Sequence, residues 1–172
     1  MVIGSIHSYT CADCGQTHES WPALTYSSPT HYNDLSEEET IGCLEGDFCT
    51  ITHEDQTDRF IRVVMTIPVN NHCDDLNYGL WVSVSEKTFR DYQENFHKEE
   101  HEASYFGYVC NNLLGYEDTL SVPSTVVTQP DNRRPMVFPF DDFEHPLVQD
   151  FYHGISKEEA ERRIEEMIRI TS

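Results

Sequence analysis

Two cysteines near the start of the chain have the spacing of a metal-binding turn. The segment reads CADCGQTH, with Cys11 and Cys14 separated by two residues, Gly15 directly after them and His18 beyond. Two thiolates at this spacing suit tetrahedral zinc, and the glycine lets backbone amides turn toward the sulfurs. A redox pair is the weaker interpretation, because such a motif belongs at the start of a helix in a βαβ unit. Reduced structural thiols are the alternative to a bound metal.

A structural zinc site has four ligands, so this turn accounts for only part of one. The chain has no second Cys-x-x-Cys pair, and the other ligands must come from His18, Cys43, Cys49 or a more distant histidine. We expect Cys49 to be the third ligand because it opens a predicted strand after a turn. Cys43 and Cys110, in contrast, have the sequence setting of small buried apolar residues. The predicted site is a structural zinc on Cys11, Cys14, Cys49 and His18.

A second motif, HKEEH at residues 97–101, matches the inverzincin metalloprotease pattern. In that chemistry His97 and His101 bind the metal from one helical face, and Glu100 acts as the general base. The segment follows Phe96, the last apolar residue of a predicted helix, so we expect a charged surface loop. A metal-dependent hydrolase is therefore the remote alternative. The sequence carries neither a phosphate-binding glycine loop nor a G-x-S-x-G nucleophile turn.

The net charge is the strongest compositional feature. The chain carries 31 acids against 11 bases, for a formal charge of −20, and its first basic residue is Arg59. Such a field repels nucleic-acid phosphates and anionic membranes, and it attracts cationic proteins. We therefore expect a basic protein partner and no binding to nucleic acid or to membrane.

The strands and helices that the sequence predicts indicate an α+β fold, mainly an antiparallel sheet with flanking helices on one face. The runs RFIRVVMTIPV and YGLWVSVS are rich in β-branched residues or alternate in polarity, as strands do. Helices are predicted over residues 35–44, after Ser85, and over about 156–170, where Ser156 and Glu159 have capping-box spacing. We expect a single domain over residues 1–172, with a cysteine turn at about 9–20.

The sequence also indicates a cellular compartment. Its longest apolar runs are too short to span a bilayer, and its first residues, MVIGSIH, lack the basic and apolar regions of a secretion signal. We therefore expect the protein to be cytoplasmic, where cysteines are reduced, metal-bound or buried.

The chain also contains a series of segments whose order is typical of one protein family. After Cys-x-x-Cys-Gly-x-x-His come GDFCTI, RFIRVVMTIPV, YGLWVSVSEKTF, YFGYVCNNLLGYEDT, RPMV and HPLVQDFYHGIS. From about Tyr9 to about Ile168 the chain resembles an uncharacterised bacterial family, domain of unknown function 2199. The matching positions outside the cysteine turn are Asp47, Cys49, Phe60, Arg62, Gly79, Trp81, Ser83, Ser85, Phe89, Phe106, Gly107, Tyr116, Thr119, Arg134, Pro135, His145 and Pro146. The resemblance implies one cytoplasmic bacterial domain in which Cys11, Cys14 and Cys49 act together, and it implies no activity.

The functional prediction follows from the negative charge of the chain and from its class, a small single-domain bacterial protein. Small, acidic, single-domain bacterial proteins without catalytic motifs are often immunity proteins, which is an inference by analogy. We predict a non-enzymatic acidic binding protein, most concretely an immunity protein that neutralises a cognate toxin by direct binding. The alternative is a zinc-stabilised domain with a housekeeping role.

Overall fold

The computed structural model describes residues 2, 3, 8–11 and 14–172. The strands are β1 (Val2–Ile3), β2 (Ser8–Thr10), β3 (Thr17–Glu19), β4 (Leu24–Thr25), β5 (Leu44–Glu45), β6 (Phe48–His53), β7 (Gln56–Ile67), β8 (Leu76–Val84), β9 (Ser104–Val109), β10 (Pro123–Val127) and β11 (Met136–Pro139). The helices are α1 (Glu86–Glu94), α2 (Pro146–His153) and α3 (Lys157–Thr171), with a 3-10 helix at Thr30–Asp34. The predicted α+β fold is confirmed.

Five of the strands close into a barrel. Strands β7, β8, β9, β10 and β11 pair in that order as antiparallel neighbours, and β11 returns to β7 in parallel, with Met136 opposite Val64. Strands β6 and β5 extend the sheet beyond β7, while β4 and β1 extend it beyond β8. Strands β2 and β3 form a separate two-stranded ribbon that carries the cysteine turn.

Alternation along β7 and β8 divides the buried residues into two clusters. Side chains such as Ile61, Val63 and Leu80 belong to the main core, together with apolar residues of all three helices. The opposite face of the same strands carries Phe60 and Trp81. Because successive side chains on a strand point to opposite faces, one pair of strands supports both clusters. The second cluster consists of Cys49, Ile51, Phe60, Trp81 and Cys110.

Residues 26–43 cover the second cluster. The indole N–H of Trp81 donates to the carbonyl oxygen of Tyr26 at 3.1 Å. The Asn111 side chain accepts from the Trp81 backbone N–H at 2.8 Å and donates to the carbonyl oxygen of Ser28 at 2.9 Å. These bonds satisfy buried polar groups and fix the covering segment to the barrel.

The helix predicted over residues 35–44 is wrong, because residues 37–43 form turns. The capping box itself is present: the Ser36 N–H donates to Glu39 Oε2 at 2.7 Å, and the Glu39 N–H donates to Ser36 Oγ at 3.3 Å. However, Ile41 is 80% exposed, so the segment has no apolar stripe to bury. Short helices depend on such packing for their stability, and a cap alone does not replace it.

Helix α3 begins where its capping box predicts, since the Glu159 N–H donates to Ser156 Oγ at 3.1 Å. It carries a buried arginine, Arg163, only 3% exposed, which joins α3 to α2 and to the barrel. The bonds that Arg163 makes are to the hydroxyl groups of Tyr78 and Tyr116 and to the carboxylates of Asp150 and Glu159.

The loop between β9 and β10 is shaped around this guanidinium. Gly115 has a φ of +98°, and a Cβ added there would lie 2.5 Å from Arg163 Nε. The Arg163 guanidinium carbon lies 4.4 Å from the centre of the Tyr116 ring, within the range of a cation–π contact. None of the helices in the described part of the chain is long and apolar enough to cross a membrane.

Candidate metal centre

Three thiols meet where the β2–β3 ribbon contacts the loop between β7 and β8. Cys11 and Cys14 lie in the turn of the ribbon, and Cys73 lies in the loop. The three Sγ atoms are all within 4.8 Å of one another, and those of Cys14 and Cys73 are 3.5 Å apart. We call these residues the cysteine cluster. Among the described residues, they are the one group of His, Cys, Asp and Glu side chains placed closely enough to share a metal ion.

The backbone of the turn brings Cys11 and Cys14 to the same side. The Cys11 N–H donates to the carbonyl oxygen of Gln16, and the Gly15 N–H donates to that of Cys11, both at 2.8 Å. Gly15 has a φ of +72°, a conformation that glycine adopts without strain. The glycine therefore supplies the positive φ that closes the turn directly after the second cysteine.

The residues beside Cys73 fix the loop against the ribbon. The ring centres of Trp21 and His72 are 4.2 Å apart. The Trp21 backbone N–H donates to Asp74 Oδ2 at 3.1 Å, and Asp74 also accepts from the backbone N–H of Asp75 at 3.0 Å. Cys73 is thus flanked on both sides by residues that contact Trp21 or hold its backbone. This packing brings together cysteines that lie 59 positions apart in the sequence.

The separation of the sulfurs suits a tetrahedral metal ion. Two thiolates bound to zinc at about 2.3 Å, with a tetrahedral angle between them, place their sulfurs about 3.8 Å apart. The Cys14–Cys73 Sγ separation of 3.5 Å is close to this value, and the remaining Sγ pairs lie within 4.8 Å. Hydrogen bonding to the Cys11 and Cys14 thiols raises the pKa of Cys73 to about 12. A bound cation would displace the shared protons, because a coordinating thiol is deprotonated.

The other two predicted ligands have different positions. Cys49 lies in β6 and is fully buried in the second cluster, where desolvation raises the pKa of its thiol to about 12. The structure does not bring Cys49 to the cysteine cluster, because β6 presents it to Phe60 and Trp81. His18 pairs with Tyr9 in the ribbon, and its side chain lies outside the described residues.

The HKEEH segment lies beyond the end of α1. That helix ends at Glu94, and residues 95–97 and 99–100 form turns, so His97 and His101 do not share a helical face. His97 and Glu100 are exposed. His101 Nε2 lies 3.0 Å from the Tyr105 hydroxyl and 3.5 Å from Asp91 Oδ2. These contacts give His101 a role in holding the segment against α1 and β9.

Comparison with known proteins identifies a family. A family model described as "Uncharacterized protein conserved in bacteria (DUF2199)" matches residues 10–155. The matched region contains all three residues of the cysteine cluster and every strand of the barrel. Searches of curated proteins and of solved structures found no match.

Proposed function

The chain belongs to DUF2199, an uncharacterised family conserved in bacteria. From its charge, we propose that it is a non-enzymatic acidic protein that binds a basic protein partner. In its most concrete form it is a cytoplasmic immunity protein that neutralises a cognate toxin by direct binding. Zinc held by the cysteine cluster would stabilise the domain that presents the binding surface.

The observation that supports binding is the position of the base-free part of the chain. The segment over the second cluster and the adjoining β6–β7 hairpin expose a series of carboxylates. We call them the acidic surface, and they are Asp34, Glu37, Glu38, Glu39, Glu54 and Asp55. Glu39, Glu54 and Asp55 line one groove. Ile41, 80% exposed, lies beside Glu38 and Glu39 in the same turn segment and offers an apolar contact.

A concentration of negative charge on a rigid support favours fast capture. Long-range attraction steers oppositely charged proteins together and can raise association rates to about 10⁸–10⁹ M⁻¹s⁻¹ at low salt. A toxin must be neutralised before it acts, so a high association rate is a useful property of its inhibitor. The acidic surface of this protein supports that mode of action.

The second candidate function, a zinc-stabilised domain with a housekeeping role, is favoured by the cysteine cluster. Three thiolates from two distant segments would join the ribbon to the barrel, and a structural zinc takes a fourth ligand. His18 is the sequence-predicted candidate for that position. Both proposals assign the metal a structural role, so they differ in the partner and not in the chemistry of the site.

We predict that the protein binds the basic product of an adjoining open reading frame and that the association rate falls steeply with salt. The expected decrease is about tenfold or more between roughly 50 and 500 mM NaCl, because salt screens charges beyond the Debye length. Stopped-flow measurement gives the rate directly. Replacing Glu37, Glu38 and Glu39 by glutamine should slow association while changing dissociation little.

A matched control separates the acidic surface from net charge. Substituting Glu158, Glu161 and Glu165 by glutamine makes the same charge change on exposed positions of α3. If both triple variants slow association equally, the total charge matters and the acidic surface is not special. If the adjoining product does not bind the wild-type protein at any salt concentration, the proposed function is wrong.

A further inference from the structure

The outer face of β9, β10 and β11 is apolar and is exposed on β9, while on β11 the ring centre of Phe138 lies 5.9 Å from that of Phe151 in α2. Residues on the three strands align in rows across the sheet, with Phe106 opposite Thr125 and Thr125 opposite Phe138. In the next row Tyr108 is opposite Pro123, whose carbonyl oxygen accepts from the backbone N–H of Phe140. We call this the aromatic face, and it consists of Phe106, Tyr108, Val127, Phe138 and Phe140.

The aromatic side chains contact one another. The ring centre of Phe106 lies 4.8 Å from that of Tyr108 and 5.6 Å from that of Phe140. Nevertheless Phe106 is 46% exposed and Tyr108 is 42% exposed. The inward neighbours Gly107 and Val109 are buried, so the strand alternates as a half-buried strand does. A contiguous apolar patch of this kind on a protein surface marks an interaction site.

Carboxylates frame the aromatic face at both ends of the strands. At one end, a groove of about 780 Å³ is lined by Val127 together with Glu99, Glu100 and Glu102. At the other end, the exposed pair Asp141 and Asp142 directly follows Phe140.

Basic groups near the first end lie in an adjoining cleft, which shares His101 and Thr128 with the groove beside Val127. Lys98 and Arg133 line that cleft, and Arg134 there donates to both carboxylate oxygens of Asp47. The groove beside Val127 is itself lined by three glutamates and by no Lys or Arg.

We propose that the aromatic face is the docking surface for an extended segment of a basic protein, with apolar side chains in its centre and Lys or Arg at its ends. The inference rests on the proposed function and adds to it a second contact surface, distinct from the acidic surface. Four steps along β9, from Ser104 to Tyr108, span about 13 Å. An extended segment of roughly six to eight residues would therefore reach both acidic ends.

The net charge of the chain indicates which kind of partner can bind the aromatic face. A charge of −20 repels nucleic acid, an anionic membrane and a second copy of the chain. The aromatic side chains and the carboxylates would contribute differently to binding. Buried aromatic residues are the usual hot spots of protein interfaces, whereas rim charges mainly affect the association rate. Mutations in the two groups should therefore be distinguishable by kinetics.

The test uses a synthetic eight-residue peptide with Lys-Arg at each end and four apolar residues between them. NMR titration of the wild-type protein should shift the amide signals of β9, β10 and β11. Phe106→Ser and Tyr108→Ser together should raise the Kd about tenfold or more. A peptide with glutamates at its ends should not bind. Ile170→Ser is the matched control, because Ile170 is 50% exposed at the end of α3, and it should leave the Kd unchanged.

Three outcomes would overturn the proposal. The first is that the peptide shifts signals only on the acidic surface. The second is that the double variant binds the peptide as wild type does while retaining the wild-type spectrum elsewhere. The third is a dimer in sedimentation that the double variant abolishes, since a second copy would then cover the face. Each outcome removes the docking surface but leaves the proposed function intact. Failure to bind the adjoining gene product removes the function independently.

Discussion

Replacing Cys73 with serine is expected to remove zinc from the protein and to abolish the dependence of its stability on free zinc. A ligand that binds only the folded state stabilises it by about 1.4 kcal/mol for each tenfold rise in free concentration above Kd, or about 4 kcal/mol at 1,000 Kd. Cys73 supplies one of three clustered sulfurs and the link from the ribbon to the β7–β8 loop. Without it, the turn retains only Cys11 and Cys14.

The measurement is urea unfolding at several buffered concentrations of free zinc, with metal content determined in parallel. Cys49→Ala is the matched control, because Cys49 is a fully buried cysteine outside the cluster. This variant should lose stability by emptying part of the second cluster, yet keep about one zinc and the wild-type zinc dependence. If Cys49→Ala loses the metal and Cys73→Ser retains it, the sequence-based ligand set is right and the cluster is not the site.

The second large effect is expected at Arg163. Substitution by alanine should lower the free energy of unfolding by about 3–5 kcal/mol, as is usual when one member of a buried ion pair is removed. The change would leave Asp150 and Glu159 without their buried cation and remove a hydrogen bond from Tyr116. At this chain length, the expected decrease in Tm is on the order of 10 °C.

Arg162 provides the control one position away. It also pairs with Glu159, at 2.7 Å, but its side chain is 58% exposed against 3% for Arg163. Exposed ion pairs contribute about 1 kcal/mol or less, so Arg162→Ala should shift stability only slightly. Equal effects of the two substitutions in thermal unfolding would contradict the role assigned to the buried guanidinium.

Two of the three thiols in the candidate metal centre could be predicted from the sequence. The Cys-x-x-Cys-Gly pattern identifies a local turn, and its hydrogen bonds and the positive φ of Gly15 depend only on neighbouring residues. The third thiol depends on tertiary packing. Cys73 lies in the polar segment NNHCDD, and the docking of Trp21 on that loop holds it near Cys11 and Cys14.

The position of Cys49 at the start of a strand was a poor criterion for predicting a metal ligand. A residue that opens a strand after a turn can lie at a sheet edge or at its buried centre. In this fold the alternation along β6 turns Cys49 toward Phe60 and Trp81. A signal was available, because Cys49 and Ile51 are apolar residues two positions apart that flank a threonine. That spacing indicates one buried face.

Individual strands and helices could be predicted from the sequence, but the closure of the barrel could not. Strands β7 and β8 follow from β-branched content and alternation, and α3 from its capping box. The parallel return of β11 to β7 joins Met136 to Val64, which are far apart in sequence and carry no local signal of their pairing. The helix expected over residues 35–44 failed because a local cap indicates a start, while burial of an apolar face determines whether the helix continues.

The central claim, that the protein inhibits a basic partner by binding and not by catalysis, is tested most directly by titration. Increasing amounts of the protein are added to a fixed concentration of the proposed toxin, well above Kd, and the residual toxin activity is measured. The account predicts a linear decrease that ends at a fixed stoichiometric ratio and does not change with incubation time. Complete inactivation by a small fraction of an equivalent, progressing with time, would contradict it.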